Sequence, residues 1–309
     1  MDRREMLLSA AVAGTAAIVA NARSASAQGT GATPVAANQE PFIKTTDGTR
    51  LFYIDWGRGT PILFVHGWSL CTDIWEHQTT ALASDTVRCV AYDRRGHGRS
   101  SQPGHGYDFD TLADDLAAVI EQRDLRDVTL VGHSMGSLEV AQYLSRHGAA
   151  RIARVVLVSP NTPYLLKAAD NPDGIDKAAF DAFAAALRKD RPRFLATAMS
   201  GLLSTGASAS PEMVQWALSL FLRTSLKAAV DLSRLLATAD FRPHMRHFTM
   251  PTLVIQGDQD KVNPLELSGR KTVQAIPGSQ LKVYEGAPHG PFITDRDRFN
   301  SDLLAFVRG

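Results

Sequence analysis

A serine between two glycines is the centre of the chemistry that this sequence can perform. Residues 132–136 read GHSMG and fit the pattern G-x-S-x-G around Ser134. An apolar run, VTLVGH, precedes the serine, and a stretch of helical periodicity, SLEVAQYLSRHG, follows it. A sharp turn from a strand into a helix exposes a serine hydroxyl, and the glycines leave room for neighbouring backbone. We therefore predict that Ser134 is a nucleophile.

The partners that Ser134 needs stand later in the chain. A serine hydroxyl is a weak nucleophile at neutral pH and requires a histidine base that a carboxylate orients. His289, in EGAPHG, follows the last apolar run and is the predicted base. IQGDQDKVNP offers two carboxylates, Asp258 directly after the strand and Asp260 further along the loop. Asp258 is placed to serve the turn, so the spacing favours Asp260 as the residue that orients His289.

Four other histidines near these segments have simpler interpretations. His133 precedes the predicted nucleophile, and we expect it to contribute packing or a local hydrogen bond. His97, His105 and His147 stand in turn or helix-end contexts, which predict exposure to solvent.

Acyl transfer also needs two backbone N–H groups that face the developing negative charge. We expect one from Met135, which follows the nucleophile. The other is expected from FVHGWS, where His66-Gly67 bends the chain and turns the N–H of Trp68 inward. The side chains of Trp68 and Met135 are predicted to line the substrate pocket. Core filling by Trp68 is the alternative, and it is compatible with a donating amide.

The elements that position these residues alternate between strands and helices. FIKTTDGTRLFYIDWG predicts a hairpin, and short apolar runs follow it: PILFVHG, VRCVAYD, VTLVGHS, RVVLVSP, TLVIQGD and LKVYEG. Helical patterns such as DTLADDLAAVIEQ separate them. This order predicts an α/β fold with a mostly parallel eight-stranded sheet and helices on both faces. Trp68, Ser134, Asp260 and His289 each follow a predicted strand, where ligand sites of such sheets lie.

One long segment has helical patterns only. No strand is predicted in residues 161–238, and the strand pattern resumes at Thr252. Because both flanks belong to one sheet, we expect a helical cap over its edge, with the α/β core formed by residues 41–160 and 239–309. A separate helical domain is the alternative.

The N-terminal segment has the layout of an export signal. Residues 1–27 contain Arg3-Arg4, a weakly apolar Ala-rich stretch and Ala25-Ser26-Ala27, which together predict a signal peptide of the twin-arginine type. The stretch is too short and too weakly apolar for a stable membrane anchor, which is the competing interpretation. A polar linker, residues 28–40, follows. A periplasmic or secreted protein is expected.

Net charge and the two cysteines bear on binding partners, disulfides and metal sites. The formal net charge of +1 gives no electrostatic basis for binding nucleic acid. We expect a small-molecule substrate, and a homo-oligomer is compatible with this composition. Cys71 and Cys89 are the two cysteines; Cys89 stands in a buried strand pattern, so two free thiols are favoured over a disulfide. No Cys/His spacing predicts a metal site.

With these residues in place, the sequence resembles the α/β hydrolases, and within them the cofactor-free haloperoxidase, perhydrolase and arylesterase group. HGWSLCTDIWEHQ, YDRRGHGRSSQP, LVGHSMGSLEVAQYL, GDQDKVNP and EGAPHG carry the resemblance, from residue 60 to the C-terminus. It implies a serine hydrolase acting on small esters or lactones through an acyl-enzyme, with no metal or other cofactor. It also implies an alternative activity, in which hydrogen peroxide replaces water and peracids form.

Two departures from this group bear on the choice. Members noted for peroxide chemistry usually have proline after the aromatic oxyanion residue, where this chain has Ser69, and Ser137-Leu138 stands where further glycine is common. Ser69 favours hydrolysis over perhydrolysis. A non-catalytic binding protein is a third interpretation, but such proteins usually lose a member of the triad, and this chain keeps all three.

Overall fold

A computed structural model describes residues 40–203 and 209–309. The predicted signal peptide, residues 1–27, and the linker except for Glu40 lie outside the described residues. Within these residues, no helix is both long enough and apolar enough to cross a membrane.

The core of the protein is one eight-stranded sheet, as predicted. Its order is β1-β2-β4-β3-β5-β6-β7-β8. β2 runs antiparallel to both β1 and β4, and the neighbours from β4 to β8 are parallel. The strands are β1 (Phe42–Lys44), β2 (Arg50–Gly57), β3 (Thr60–Val65), β4 (Val87–Tyr92), β5 (Val128–His133), β6 (Ile152–Val158), β7 (Thr252–Gly257) and β8 (Gln280–Tyr284).

Helices cover both faces of the sheet. They are α1 (Glu76–Leu82), α2 (Phe109–Gln122), α3 (Met135–His147), α4 (Lys177–Leu203), α5 (Pro211–Leu222), α6 (Leu226–Leu236), α7 (Gly269–Ala275), α8 (Pro291–Thr294) and α9 (Arg296–Arg308). Alternation along β3 shows the two layers: Leu63 and Val65 belong to one hydrophobic core, and Ile62 and Phe64 belong to the other. Both cores are needed because a parallel sheet is apolar on each face.

In its described part, the segment between β6 and β7 contributes no strand to the sheet. It begins with turns and isolated bridges over residues 159–176, and helices follow from Lys177. Its helices are α4, α5 and α6. α4 is bent at Asp190, whose φ of −159° and ψ of 81° leave the helical region. Pro192 lacks an N–H and excludes a regular helix there, and Asp190 Oδ1 accepts from the N–H of Arg193 at 3.1 Å, which caps the second half.

Both cysteines are buried and free, as the sequence favoured. Burial raises the pKa of the Cys71 thiol and that of the Cys89 thiol to about 12. Neither is therefore a thiolate at neutral pH, and neither is reactive.

The prediction that His97 is exposed to solvent is wrong. His105 and His147 lie at the surface as predicted, but His97 is 0% exposed. The loop after β4 folds back onto the sheet, and His97 Nδ1 donates to the carbonyl of Arg95 at 2.8 Å. Burial, together with the charge of Arg94, lowers the pKa of His97 to about 3.

This burial predicts a pH-dependent loss of stability. An unfolded histidine has a pKa of about 6.5, so below that pH the unfolded chain binds a proton that native His97 refuses. The free energy of unfolding therefore decreases as the pH is lowered. His97 contributes a decrease that approaches about 1.4 kcal/mol per pH unit between about pH 6.5 and about pH 3. His97→Asn keeps a donor for Arg95 and removes this titration.

Urea unfolding of wild type and His97→Asn at about pH 6.5, 5.5 and 4.5 measures the effect. We expect the variant to lose less stability per pH unit than wild type. The same loss of unfolding free energy per pH unit in both proteins would contradict the role of His97 in the pH dependence.

Candidate active site

The turn from β5 into α3 holds Ser134 in a strained conformation. Its φ of 52° and ψ of −120° lie where residues other than glycine are rare. A Cβ on Gly132 would lie 2.8 Å from the carbonyl oxygen of Gly136, and one on Gly136 would lie 2.5 Å from that of Val65. Neither glycine can be replaced without moving backbone. The close packing that both allow keeps the strained serine at the sheet edge.

The structure brings the three predicted side chains Ser134, His289 and Asp260 into one hydrogen-bonded series. His289 Nε2 lies 3.0 Å from Ser134 Oγ, and His289 Nδ1 lies 2.8 Å from Asp260 Oδ2. All three residues are buried. Because a carboxylate only accepts, Nδ1 carries the proton and Nε2 is left as an acceptor that faces the serine hydroxyl.

The two candidate carboxylates have separate environments. Asp260 Oδ1 accepts from the N–H groups of Val262 and Asn263, each at 2.9 Å, which fixes the carboxylate toward His289. Asp258 is exposed, and its Oδ1 accepts from the N–H of Gly286 at 2.8 Å. Asp258 therefore stabilises the turn, and Asp260 is the carboxylate that contacts the histidine.

Trp68 and Met135 carry the two predicted amide donors. Among residues 40–203 and 209–309, neither N–H has a hydrogen-bond acceptor. The indole Nε1 of Trp68 donates to the carbonyl of Ala229 at 3.0 Å. The rings of Trp68 and Phe183 pack in a T-shaped arrangement, with their centroids 5.1 Å apart. The indole thus lines the cavity beside Ser134, as predicted.

The predicted place of the Met135 side chain in the pocket is wrong. It is 0% exposed and belongs to the hydrophobic core, and it is not among the residues that line the cavity. The reason is that the first turn of α3 is buried on every side, so only the backbone of Met135 faces the site.

The cavity in front of Ser134 has a volume of about 370 Å³ and mostly apolar walls. Aromatic and aliphatic side chains from the helical segment form much of the wall. Its polar members are Ser134, His289, His133, Asn161, Asn263 and Ser233. In the described part of the chain, no group of three or more His, Cys, Asp or Glu residues is placed to hold a metal ion.

His133 packs behind the catalytic candidates. Its Nε2 donates to the carbonyl of His289 at 3.2 Å, and its ring contacts those of Trp75 and Phe292. Burial, with a smaller contribution from His289, lowers the pKa of His133 well below its usual range. It stays neutral and supports the position of His289, so the predicted packing role is confirmed.

A fully buried ion pair near the site was not predicted. Arg94 follows β4, Glu139 lies in α3, and Arg94 Nε donates to Glu139 Oε2 at 2.6 Å with both side chains 0% exposed. The hydroxyl of Tyr92 donates to the other carboxylate oxygen. Loss of water raises the pKa of Glu139 and lowers that of Arg94 to about 9. Each group therefore depends on the other to remain charged.

The same arginine contacts the loop that carries Trp68. Arg94 Nη2 donates to the carbonyl of His66 at 2.8 Å. His66 Nε2 accepts from the N–H of Arg94 at 3.1 Å, so His66 Nδ1 carries the proton and donates to the carbonyl of Gly67 at 2.8 Å. That carbonyl and the N–H of Trp68 belong to one planar peptide, so holding the first fixes the direction of the second.

A second unpredicted residue, Asn161, contacts the serine itself. Its Oδ1 accepts from Ser134 Oγ at 3.0 Å. The sequence could have identified Asn161 and Arg94, because both follow strand ends as the predicted site residues do. Glu139, a charge among apolar helix positions, was the signal for the partner of Arg94.

A serine at a strand-to-helix elbow, facing a histidine and an aspartate on the carboxyl edge of this sheet, is the arrangement of the α/β-hydrolase class. Residues 60–296 match the family model for the alpha/beta hydrolase fold. The chain belongs to this family.

The chain is similar to non-heme haloperoxidases and to esterases. A non-heme chloroperoxidase from Kitasatospora aureofaciens is 40% identical over 273 residues, which are 86% of this chain and 99% of the relative. A bifunctional esterase/perhydrolase from Acinetobacter calcoaceticus is 38% identical over 86% of this chain and 99% of its own length. The solved esterase from Exiguobacterium antarcticum matches with a TM-score of 0.84 and 30% identity, covering 88% of this chain and 100% of that one.

Proposed function

We propose that the chain is a serine hydrolase that cleaves small carboxylic esters or lactones through an acyl-enzyme intermediate. The observation that carries this proposal is the buried series from Asp260 through His289 to Ser134, which ends at an apolar cavity. The relatives support it, because one is named an esterase/perhydrolase and a structural neighbour is named an esterase.

In the first half of the reaction, Ser134 Oγ attacks the ester carbonyl and His289 Nε2 takes its proton. Asp260 stabilises the imidazolium that forms, since it already accepts from Nδ1. His289 then returns the proton to the leaving alcohol, the bond from the acyl carbon to the alcohol oxygen breaks, and the acyl group stays on Ser134.

In the second half, His289 takes a proton from a water molecule as the water oxygen attacks the acyl carbon. The bond from the acyl carbon to Ser134 Oγ then breaks, His289 returns the proton to Oγ, and the acid is released. The negative charge of each tetrahedral intermediate lies on the former carbonyl oxygen. The amides of Trp68 and Met135 are the donors for that oxygen, because neither N–H has an acceptor within the described residues.

Asp260→Asn tests the proposal directly, with Asp258→Asn as the matched control. The amide removes the charge that stabilises the imidazolium and favours the wrong histidine tautomer, so kcat for p-nitrophenyl acetate should fall about 10⁴-fold. Asp258→Asn should stay near wild type, because the side chain of Asp258 bonds, within the described residues, to the turn residues Gly286 and Gln259.

Initial rates are measured beside Ser134→Ala, which should fall to background, and thermal unfolding checks that each variant is folded. An unchanged kcat in Asp260→Asn would contradict the role of Asp260. An unchanged rate in Ser134→Ala would contradict the mechanism and favour a binding protein.

Perhydrolysis is the second candidate, and the names of the chloroperoxidase and perhydrolase relatives favour it. The structure of the oxyanion loop weighs against it as the main activity. Ser69 has a φ of 55°, whereas proline is fixed near −65°. The loop therefore has a conformation that a proline at this position would not adopt.

Halogenation of monochlorodimedone in acetate and hydrogen peroxide compares the two activities. We expect its rate to be far below that of p-nitrophenyl acetate hydrolysis by the same preparation. Halogenation that rivals ester hydrolysis would reverse the order of the two candidates.

We also propose that residues 1–27 direct export to the periplasm or the medium by the twin-arginine route. Arg3-Arg4, the Ala-rich stretch and Ala25-Ser26-Ala27 support this assignment. Replacement of Arg3 and Arg4 by lysine should retain the uncleaved chain in the cytoplasm of the expressing bacterium. Export of the double variant at the wild-type level would contradict it.

A further inference from the structure

The hydroxyl of Ser134 has two acceptors for its one proton. His289 Nε2 and Asn161 Oδ1 each lie 3.0 Å from Ser134 Oγ. The mechanism uses only the first of these contacts. Asn161 lines the cavity, so its carbonyl oxygen is positioned where an acyl group attached to Ser134 would begin.

Neighbouring groups fix which end of the Asn161 amide faces the serine. Asn263 Nδ2 donates to the carbonyls of Ser159 and Pro160, each at 3.0 Å, so Asn263 Oδ1 is the atom left to face Asn161. Asn161 Nδ2 lies 3.4 Å from that oxygen. The Oδ1 atom of Asn161 therefore points toward Ser134.

The backbone of Asn161 is also held against the elbow. Its N–H donates to Ser137 Oγ at 3.0 Å, and Ser137 Oγ donates to the carbonyl of Ser134 at 2.6 Å. Ser137 is one of the two departures from the resembling group that the sequence shows. It links the acceptor and the nucleophile through a single hydroxyl.

Acylation removes the donor that Asn161 has. In the acyl-enzyme, Oγ becomes an ester oxygen without a proton, so Asn161 Oδ1 faces the new acyl group as an acceptor without a partner. The cavity around it is mostly apolar, and an acceptor left unpaired in such a site is costly. A donor on the carbon next to the acyl carbonyl would restore the bond, because that carbon is bonded to the atom that Oγ attacks.

We propose that Asn161 is a specificity residue that selects acyl groups bearing a hydroxyl or amide N–H on the carbon next to the carbonyl. This inference rests on the proposed ester hydrolysis and names a substrate class for it: 2-hydroxy or 2-acylamino esters and lactones. The remainder of the acyl group is apolar, since aromatic and aliphatic side chains such as Phe183 form most of the wall.

The test compares two esters that differ only in the donor. Ethyl mandelate carries a 2-hydroxyl and ethyl phenylacetate lacks it, and hydrolysis of each is followed by acid release. Wild type should have the higher kcat/KM for ethyl mandelate. In Asn161→Val the ratio of the two kcat/KM values should fall roughly tenfold, as expected for one lost hydrogen bond.

Ser233→Ala is the matched control, because Ser233 also lines the cavity but already donates to the carbonyl of Val230 at 2.8 Å. It should keep the wild-type ratio. A ratio that is the same in wild type and Asn161→Val overturns the inference, including the case in which both esters slow equally because Asn161 acts on Ser134 alone. If the ratio is unchanged but hydrolysis is lost in Ser134→Ala, the specificity role of Asn161 is overturned and the proposed function stands. If hydrolysis survives Ser134→Ala, the proposed function is overturned as well.

Discussion

The close approach of α3 to β3 is the constraint on which the rest of the site depends. Gly136 lies so near the carbonyl of Val65 that no side chain fits between them, and Gly132 meets the backbone of Gly136 in the same way. The helix therefore begins directly beside the loop that follows β3. This places the start of α3 against the backbone of Val65 and His66 and leaves Ser134 in its strained conformation of positive φ at the turn.

Buried polar groups at the same edge of the sheet stabilise this packing through hydrogen bonds and an ion pair. The Arg94–Glu139 pair joins α3 to the loop after β4 and, through the carbonyl of His66, to the loop that carries Trp68. Buried charges are costly unless they are paired and hydrogen-bonded, and here each contact of the pair also orients a part of the site. His133 supports the other side through the carbonyl of His289. The nucleophile and its base are thus held by groups that take no part in the proposed bond-breaking steps.

Much of this arrangement followed from local patterns. The eight strands and the positions of Ser134, Asp260 and His289 were predictable, because a parallel sheet collects the residues after its strands at one edge. The environments of His97 and Met135 were not, since burial there depends on how a loop and a helix turn pack against distant residues. Glu139 and Asn161 were missed because a charge in a helix, or an amide after a strand, acquires a role only through a partner far along the chain.

Covalent labelling of the full chain with diisopropyl fluorophosphate tests directly whether Ser134 is an activated nucleophile. The reagent phosphorylates a serine that a neighbouring base activates, and peptide mass spectrometry locates the adduct. We expect one adduct, on the peptide that contains Ser134, with loss of ester hydrolysis in proportion to labelling. An adduct elsewhere, or full hydrolysis after Ser134 has been labelled, would contradict it.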